Sequence, residues 1–116
     1  MGGADAPPNF LEAPMGYSQK LYDTVAAADM SLLGVQLGAA CIDANIPVRI
    51  VAAWLDVSRQ GVYLWFTGMT DIAEKHRDTV QEIIEILLAA LESGDLPAKK
   101  LSQALAVIDR YRGMMK

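Results

Sequence analysis

Histidine and cysteine each occur once in these 116 residues, as His76 and Cys41. One cysteine excludes an intrachain disulfide and reads as a small buried core residue. A lone histidine with no cysteine or second histidine at ligand spacing gives no zinc site. It gives no identifiable pH switch either, because no buried partner is apparent. No glycine-rich phosphate loop is present. No serine, cysteine or lysine has a visible base and orienter, and Glu82 and Glu85 fall on a solvated helix face. The chain is therefore expected not to be an enzyme and to need no cofactor or metal. No apolar run reaches the roughly 20 residues that cross a bilayer. No basic stretch followed by an apolar one opens the sequence. With the single cysteine, this predicts a cytoplasmic protein without membrane association. Aromatic residues make up only 7% of the chain. Trp54, Tyr63, Trp65 and Phe66 cluster in sequence, but too few basic residues interleave them for a single-strand stacking platform.

Basic residues are also in the minority, ten against fourteen acids, for a net charge of −4. Nucleic-acid binders are usually basic, so the distribution matters. Residues 1–46 are net −4 and 69–97 net −5, whereas 47–68 are net +1 and 98–116 net +4. Arg49 and Arg59 supply the positive charge of the middle segment. Lys99, Lys100, Arg110, Arg112 and Lys116 supply that of the last.

What is abundant is apolar material, 53% of residues, enough for one core in one domain. Residues 1–16 hold three prolines and three glycines and read as a flexible arm. Phe10 and Leu11 are candidates to strap a partner subunit, held extended by Pro7-Pro8. The spacing of Leu21, Tyr22 and Val25 predicts a helix over 17–28, capped by Ser18. Asp29 would cap a second helix over 30–44, lined by Leu33, Leu37, Ala40, Cys41 and Ala44. Gly34 and Gly38, one turn apart on it, would let another helix approach closely. Asn45 suits its left-handed end.

Residues 47–68 form the centre of the chain. Pro47 fits the first turn of a helix running to Leu55, with Val51, Ala52 and Leu55 inward. Asp56 and Val57 make a turn. Ser58 caps a second short helix, with Val62 and Trp65 inward and Gly68 at its end. Two short helices about a tight turn are the helix-turn-helix pattern, whose second helix commonly lies in the DNA major groove. The run Ala52, Leu55, Val57, Ser58, Val62, Trp65, Gly68 resembles the Cro/C1-type (XRE-like) helix-turn-helix repressors. The resemblance is specific over about twenty residues and looser over Leu32 to Leu91. It implies a five-helix domain in which 30–44 is the first helix and the motif the second and third. It also implies a small phage or prokaryotic regulator. Three positions depart from the pattern. Asp56 stands where glycine usually turns the chain. Gly61 lies inside the recognition helix at a cost of about 1 kcal/mol relative to alanine. Leu64 occupies a position often polar, from which it could meet a thymine methyl or a protein surface.

Position-for-position matching gives the DNA-facing set as Arg49, Ser58, Arg59, Gln60, Tyr63, Leu64 and Thr67. Arg59 can donate two bonds to guanine O6 and N7, and Gln60 can pair with adenine N6 and N7. Ser58, Tyr63 and Thr67 suit phosphates, as does Arg49.

Thr70 is expected to cap a long helix over 71–92 whose apolar stripe includes Ile72, His76, Val80, Ile83, Ile84, Leu87, Leu88 and Leu91. Gly94 stops it. Pro97 would open a last helix running to Arg112. Together they make an antiparallel hairpin with more apolar area than one small domain is expected to cover. The expected use is a homodimer contact through Val80, Ile84, Leu87, Leu91, Leu105 and Ile108. The sequence thus predicts an all-α chain of five to six helices. An arm (1–16) precedes a helical region (17–68) with the helix-turn-helix at 47–68, and a C-terminal hairpin (69–116) follows. Its expected partner is double-stranded DNA, bound as a dimeric transcriptional regulator. The competing reading is a protein–protein module on the same scaffold, contacting RNA polymerase or another phage component.

Overall fold

The computed structural model describes residues 17–114, and within them the chain is all-helical. Six helices follow one another: α1 (Gln19–Ala27), α2 (Leu33–Ala44), α3 (Val48–Leu55), α4 (Arg59–Thr67), α5 (Arg77–Ser93) and α6 (Leu101–Met114), with a 3-10 turn at Glu74–His76. The suggested strap through Phe10 and Leu11 lies outside the described residues.

Helix ends follow the local chemistry. Ser18 accepts from the Leu21 N–H at 3.1 Å and starts α1. Four successive helices, α2 to α5, stop on a left-handed residue: Asn45 (φ 60°), Asp56 (φ 55°), Gly68 (φ 80°) and Gly94 (φ 84°). In each case the next N–H reaches back five residues, as in Ile46 to the Cys41 carbonyl and Val57 to that of Ala52. This double closure satisfies carbonyls the helix end would otherwise leave unpaired. Asp56 thus takes the conformation for which glycine is the usual choice.

Three helix starts differ from expectation. α2 begins at Leu33 rather than Met30, because the Asp29 carboxylate folds onto Ser31, accepting from its N–H at 2.9 Å and its hydroxyl at 2.7 Å. Those bonds hold the Asp29 carboxyl below its usual pKa range. α5 begins at Arg77 rather than Asp71. Asp71 instead accepts from the Ile72 N–H and pairs with Arg77 at 3.5 Å. Ile72 is pulled into the core from extended chain. α6 begins at Leu101, not Pro97, and runs to Met114. Buried Leu96 anchors the connection, so residues 97–100 are occupied in crossing to α6.

α2 is the central element. One side packs on α4 and another on α5, and α1 lies against both α2 and α4. The close approach to α4 rests on Gly34 and Gly38. A Cβ on Gly34 would lie 2.7 Å from the Trp65 carbonyl oxygen, and one on Gly38 2.8 Å from Phe66 Cγ. Cys41 is fully buried, and desolvation pushes its thiol pKa well up. Its place is that of a small apolar core residue.

The hairpin's apolar stripe is not a free surface. Val80 and Leu87 are 0% exposed, Ile108 2% and Ile84 7%, all within one protomer. Leu91 and Leu105 are half-buried against the same core. The physical reason is α2, whose apolar side receives α5 directly, so the core runs unbroken from residue 17 to residue 111. The four buried residues of the expected dimer set are therefore already used inside the protomer.

Candidate nucleic-acid interface

α3 and α4 are joined by residues 56–58 alone. Asp56 closes α3, Val57 drops half-buried beside the core, and Ser58 opens α4 by accepting from the Gly61 N–H at 3.0 Å. That cap leaves the Ser58 hydroxyl hydrogen free to donate. Val62, Trp65 and Phe66 take the inward side of α4, which fixes its rotation and decides what faces solvent.

The outward side carries Arg59, Gln60 and Tyr63, all exposed, with Leu64 half-buried. Arg59 and Gln60 are the first two residues of α4. Arg49 is exposed in the first turn of α3. Among the described residues neither Arg49 nor Arg59 is engaged in a salt bridge, whereas Arg77 and Arg110 are. Arg110 binds Asp95 at 2.9 Å, and the Tyr111 hydroxyl donates to the same carboxylate at 2.6 Å. This part of the basic tail therefore fastens α6 to the α5 end of the hairpin.

One expected member of the set sits differently. The Thr67 hydroxyl donates to the Tyr63 carbonyl at 3.0 Å and lies near that of Leu64 at 3.3 Å. Its hydrogen is thus committed within the helix. Tyr63 is 40% exposed and lies close enough to Tyr17 to influence its ionisation. From sequence Tyr17 is only the first residue of the helix expected over 17–28. Its phenol donates to the Ile46 carbonyl, and its ring stands 6.4 Å from that of Phe66. Burial, then Cys41 and Tyr63, push its pKa up. Tyr17 ties the start of α1 to the α2–α3 corner and backs α4. A polar hydroxyl aimed at a carbonyl 29 positions away leaves no mark in the local pattern.

His76 is half-buried with its ring 5.9 Å from that of Trp65, bracing the chain between α4 and α5. Trp54 is also half-buried, on α3. Among the described residues no group of three or more His, Cys, Asp or Glu side chains could hold a metal ion, and no helix is long and apolar enough to cross a membrane. A shallow groove of about 100 Å³ lies between α1 and α2, lined by Tyr22, Val25, Ala26, Ala39, Ile42 and Asp43. It is smaller than the clefts that usually hold small-molecule substrates, roughly 300 Å³ and upward.

No protein-family model matches the chain, no curated protein is similar to it, and no solved structure matches it.

Proposed function

We propose that this protein binds double-stranded DNA in a sequence-dependent way as a small transcriptional regulator, with α3 and α4 acting as a Cro/C1-like helix-turn-helix. The observation that carries this reading is the start of α4. Arg59 and Gln60 stand exposed on a capped helix whose other side is locked by Val62, Trp65 and Phe66. The guanidinium suits guanine O6 and N7, and the amide suits adenine N6 and N7. Arg49 and the free Ser58 hydroxyl hydrogen suit flanking phosphates. Tyr63 adds a phenol beside them, and Leu64 an apolar contact. With the Thr67 hydroxyl committed, its role on this face reduces to packing.

In this reading two protomers act together, their recognition helices roughly 34 Å apart in successive major grooves. With Val80, Ile84, Leu87 and Ile108 inside the protomer, the contact falls to the hairpin's outer side. Leu88 is 52% exposed there, and Leu91 and Leu105 are half-buried.

The test is duplex binding across a salt series, with the mass of the complex measured on the same sample. Phosphate neutralisation makes log K fall with log salt by about 0.9 per contact. Arg49 alone therefore gives a slope near −1 per protomer, or roughly −2 for a dimer. No binding at low salt overturns the proposal.

A second reading has a specific observation behind it. Met69 is 74% exposed just beyond α4, where its N–H donates to the carbonyl of half-buried Leu64, and Tyr63 on the same helix is 40% exposed. An apolar surface of this kind suits a protein partner, in line with the net charge of −4. Phe66, also on α4, is 0% exposed and belongs to the core. The patch is correspondingly narrower.

A further inference from the structure

Of the four glycines in helices, Gly34 and Gly38 have an internal reason to be glycine, whereas Gly61 and Gly113, the latter at the end of α6, do not. Gly34 and Gly38 sit where α4 leaves no room for a side chain. Gly61 is different. Among the described residues a Cβ there would meet only the Ser58 hydroxyl oxygen, at 3.4 Å, which is ordinary contact. Its φ is not in the left-handed region, so no backbone strain demands glycine. The position is the third residue of α4, where a capped helix commonly carries a side chain, often glutamate or glutamine. Glycine is among the worst helix formers and weakens a helix only nine residues long. Among the described residues nothing compensates this local cost in the first turn of α4, and close approach of a ligand to the backbone is one use of such a glycine.

The surroundings say what approaches. Gly61 follows Arg59 and Gln60 directly, is one turn before Leu64, and has its N–H satisfied by Ser58. Its amide is therefore not an anion donor, and what it offers is missing bulk. We propose that Gly61 is a specificity-determining position, at which the edge of a DNA base pair packs against the bare Cα. This rests on the DNA-binding reading of α4. The absent methyl lets the first turn sit deep enough for Arg59 and Gln60 to reach base edges. A side chain at 61 would hold the whole helix outward.

The test compares wild type, Gly61→Ala and Gly61→Leu for thermal stability and for affinity to a duplex selected from random sequence by the wild-type protein. Alanine and leucine are better helix formers, so both variants should melt higher, by about 4–8 °C for Gly61→Ala. Affinity should fall about tenfold or more for Gly61→Ala and further for Gly61→Leu, with weak binding to random duplex less affected. Equal affinity of Gly61→Ala and wild type overturns the inference and leaves the DNA reading standing. A lower melting temperature for Gly61→Ala also overturns it, because the glycine would then serve the fold. Failure of the wild type to select any duplex overturns both.

Discussion

Replacing Gly34 by alanine tests the packing on which the position of α4 depends. The new methyl carbon would lie 2.7 Å from the Trp65 carbonyl oxygen, 2.8 Å from Trp65 Cβ and 3.0 Å from Trp65 C. Favourable carbon contacts lie at about 3.5–4.0 Å, so the site is short by about 1 Å. Two of the three atoms are backbone, which no rotamer change can move. The helices must separate, and Val62 and Phe66, both 0% exposed, must separate with them. Overpacking of this kind costs about 1–3 kcal/mol, and backbone contact puts it at the upper end. Alanine recovers about 1 kcal/mol of helix propensity. The net expectation is a loss of about 2 kcal/mol. That is a large share of the roughly 5–15 kcal/mol that holds a small domain. Urea unfolding followed by far-UV circular dichroism measures it, provided the m-value is unchanged. Gly38→Ala meets Phe66 Cγ at 2.8 Å and Phe66 Cβ at 3.0 Å and should cost a similar amount. The double variant should lose less than the sum, because helices already spread by one methyl accommodate the second. A Gly34→Ala protein as stable as wild type, or more so, would show that α2 and α4 do not approach this closely.

Other substitutions address individual steps. Ser58→Ala removes the bond from the Gly61 N–H and should cost about 0.5–2 kcal/mol in urea unfolding; no change would mean the cap is not populated in solution. Arg59→Ala should cost about 1–3 kcal/mol of duplex affinity, concentrated at one base position. Equal loss on every sequence would reduce Arg59 to a phosphate contact. Leu87→Glu places a charge at a site 0% exposed and should unfold the chain. Leu88→Glu, at a site 52% exposed, should leave the circular dichroism spectrum intact and give a monomer in sedimentation. A folded dimer of Leu88→Glu would move the subunit contact elsewhere.

The helices were largely legible because their signals are local. Ser18 and Ser58 cap, Asn45 and Gly68 terminate, and the spacing of Leu33, Leu37 and Cys41 marks a buried face, all within a few residues of one another. Asp56 was legible for the same reason: a tight turn needs a left-handed residue, and aspartate tolerates that conformation better than most. Two of the three shifted starts, those of α2 and α5, share a cause. Thr70 and Asp29 both have capping side chains, and propensity favours continuing into the next helix. Asp29 instead bonds to Ser31, and Asp71 to the Ile72 N–H. The decisive term in the second case is the burial of Ile72, which ties the chain to the core before α5 begins. A side chain's hydrogen-bonding capacity is written in the sequence, but the choice among several local acceptors is made by distant packing.

The same division separates the two surfaces of interest. On α4 the inward residues Val62, Trp65 and Phe66 are fixed by their own periodicity. What remains, Arg59, Gln60 and Tyr63, is outward by elimination, so these could be read from sequence. The hairpin offers no such shortcut. The stripe through Val80, Ile84 and Leu87 calls for a cover, but its amphipathic pattern is the same whether that cover is α2 of the same chain or another protomer. The structure supplies α2, whose buried face runs from Leu33 to Ala44 and meets α4 and α5 at once. Small residues explain how one helix serves two neighbours. Gly34 and Gly38 bring α4 close on one side, so the remaining apolar surface of α2 stays open for α5. The feature that sets α4 against the core also removes the reason for the buried hairpin residues to seek a second chain. Any subunit contact is left to residues such as Leu88, which the protomer does not cover.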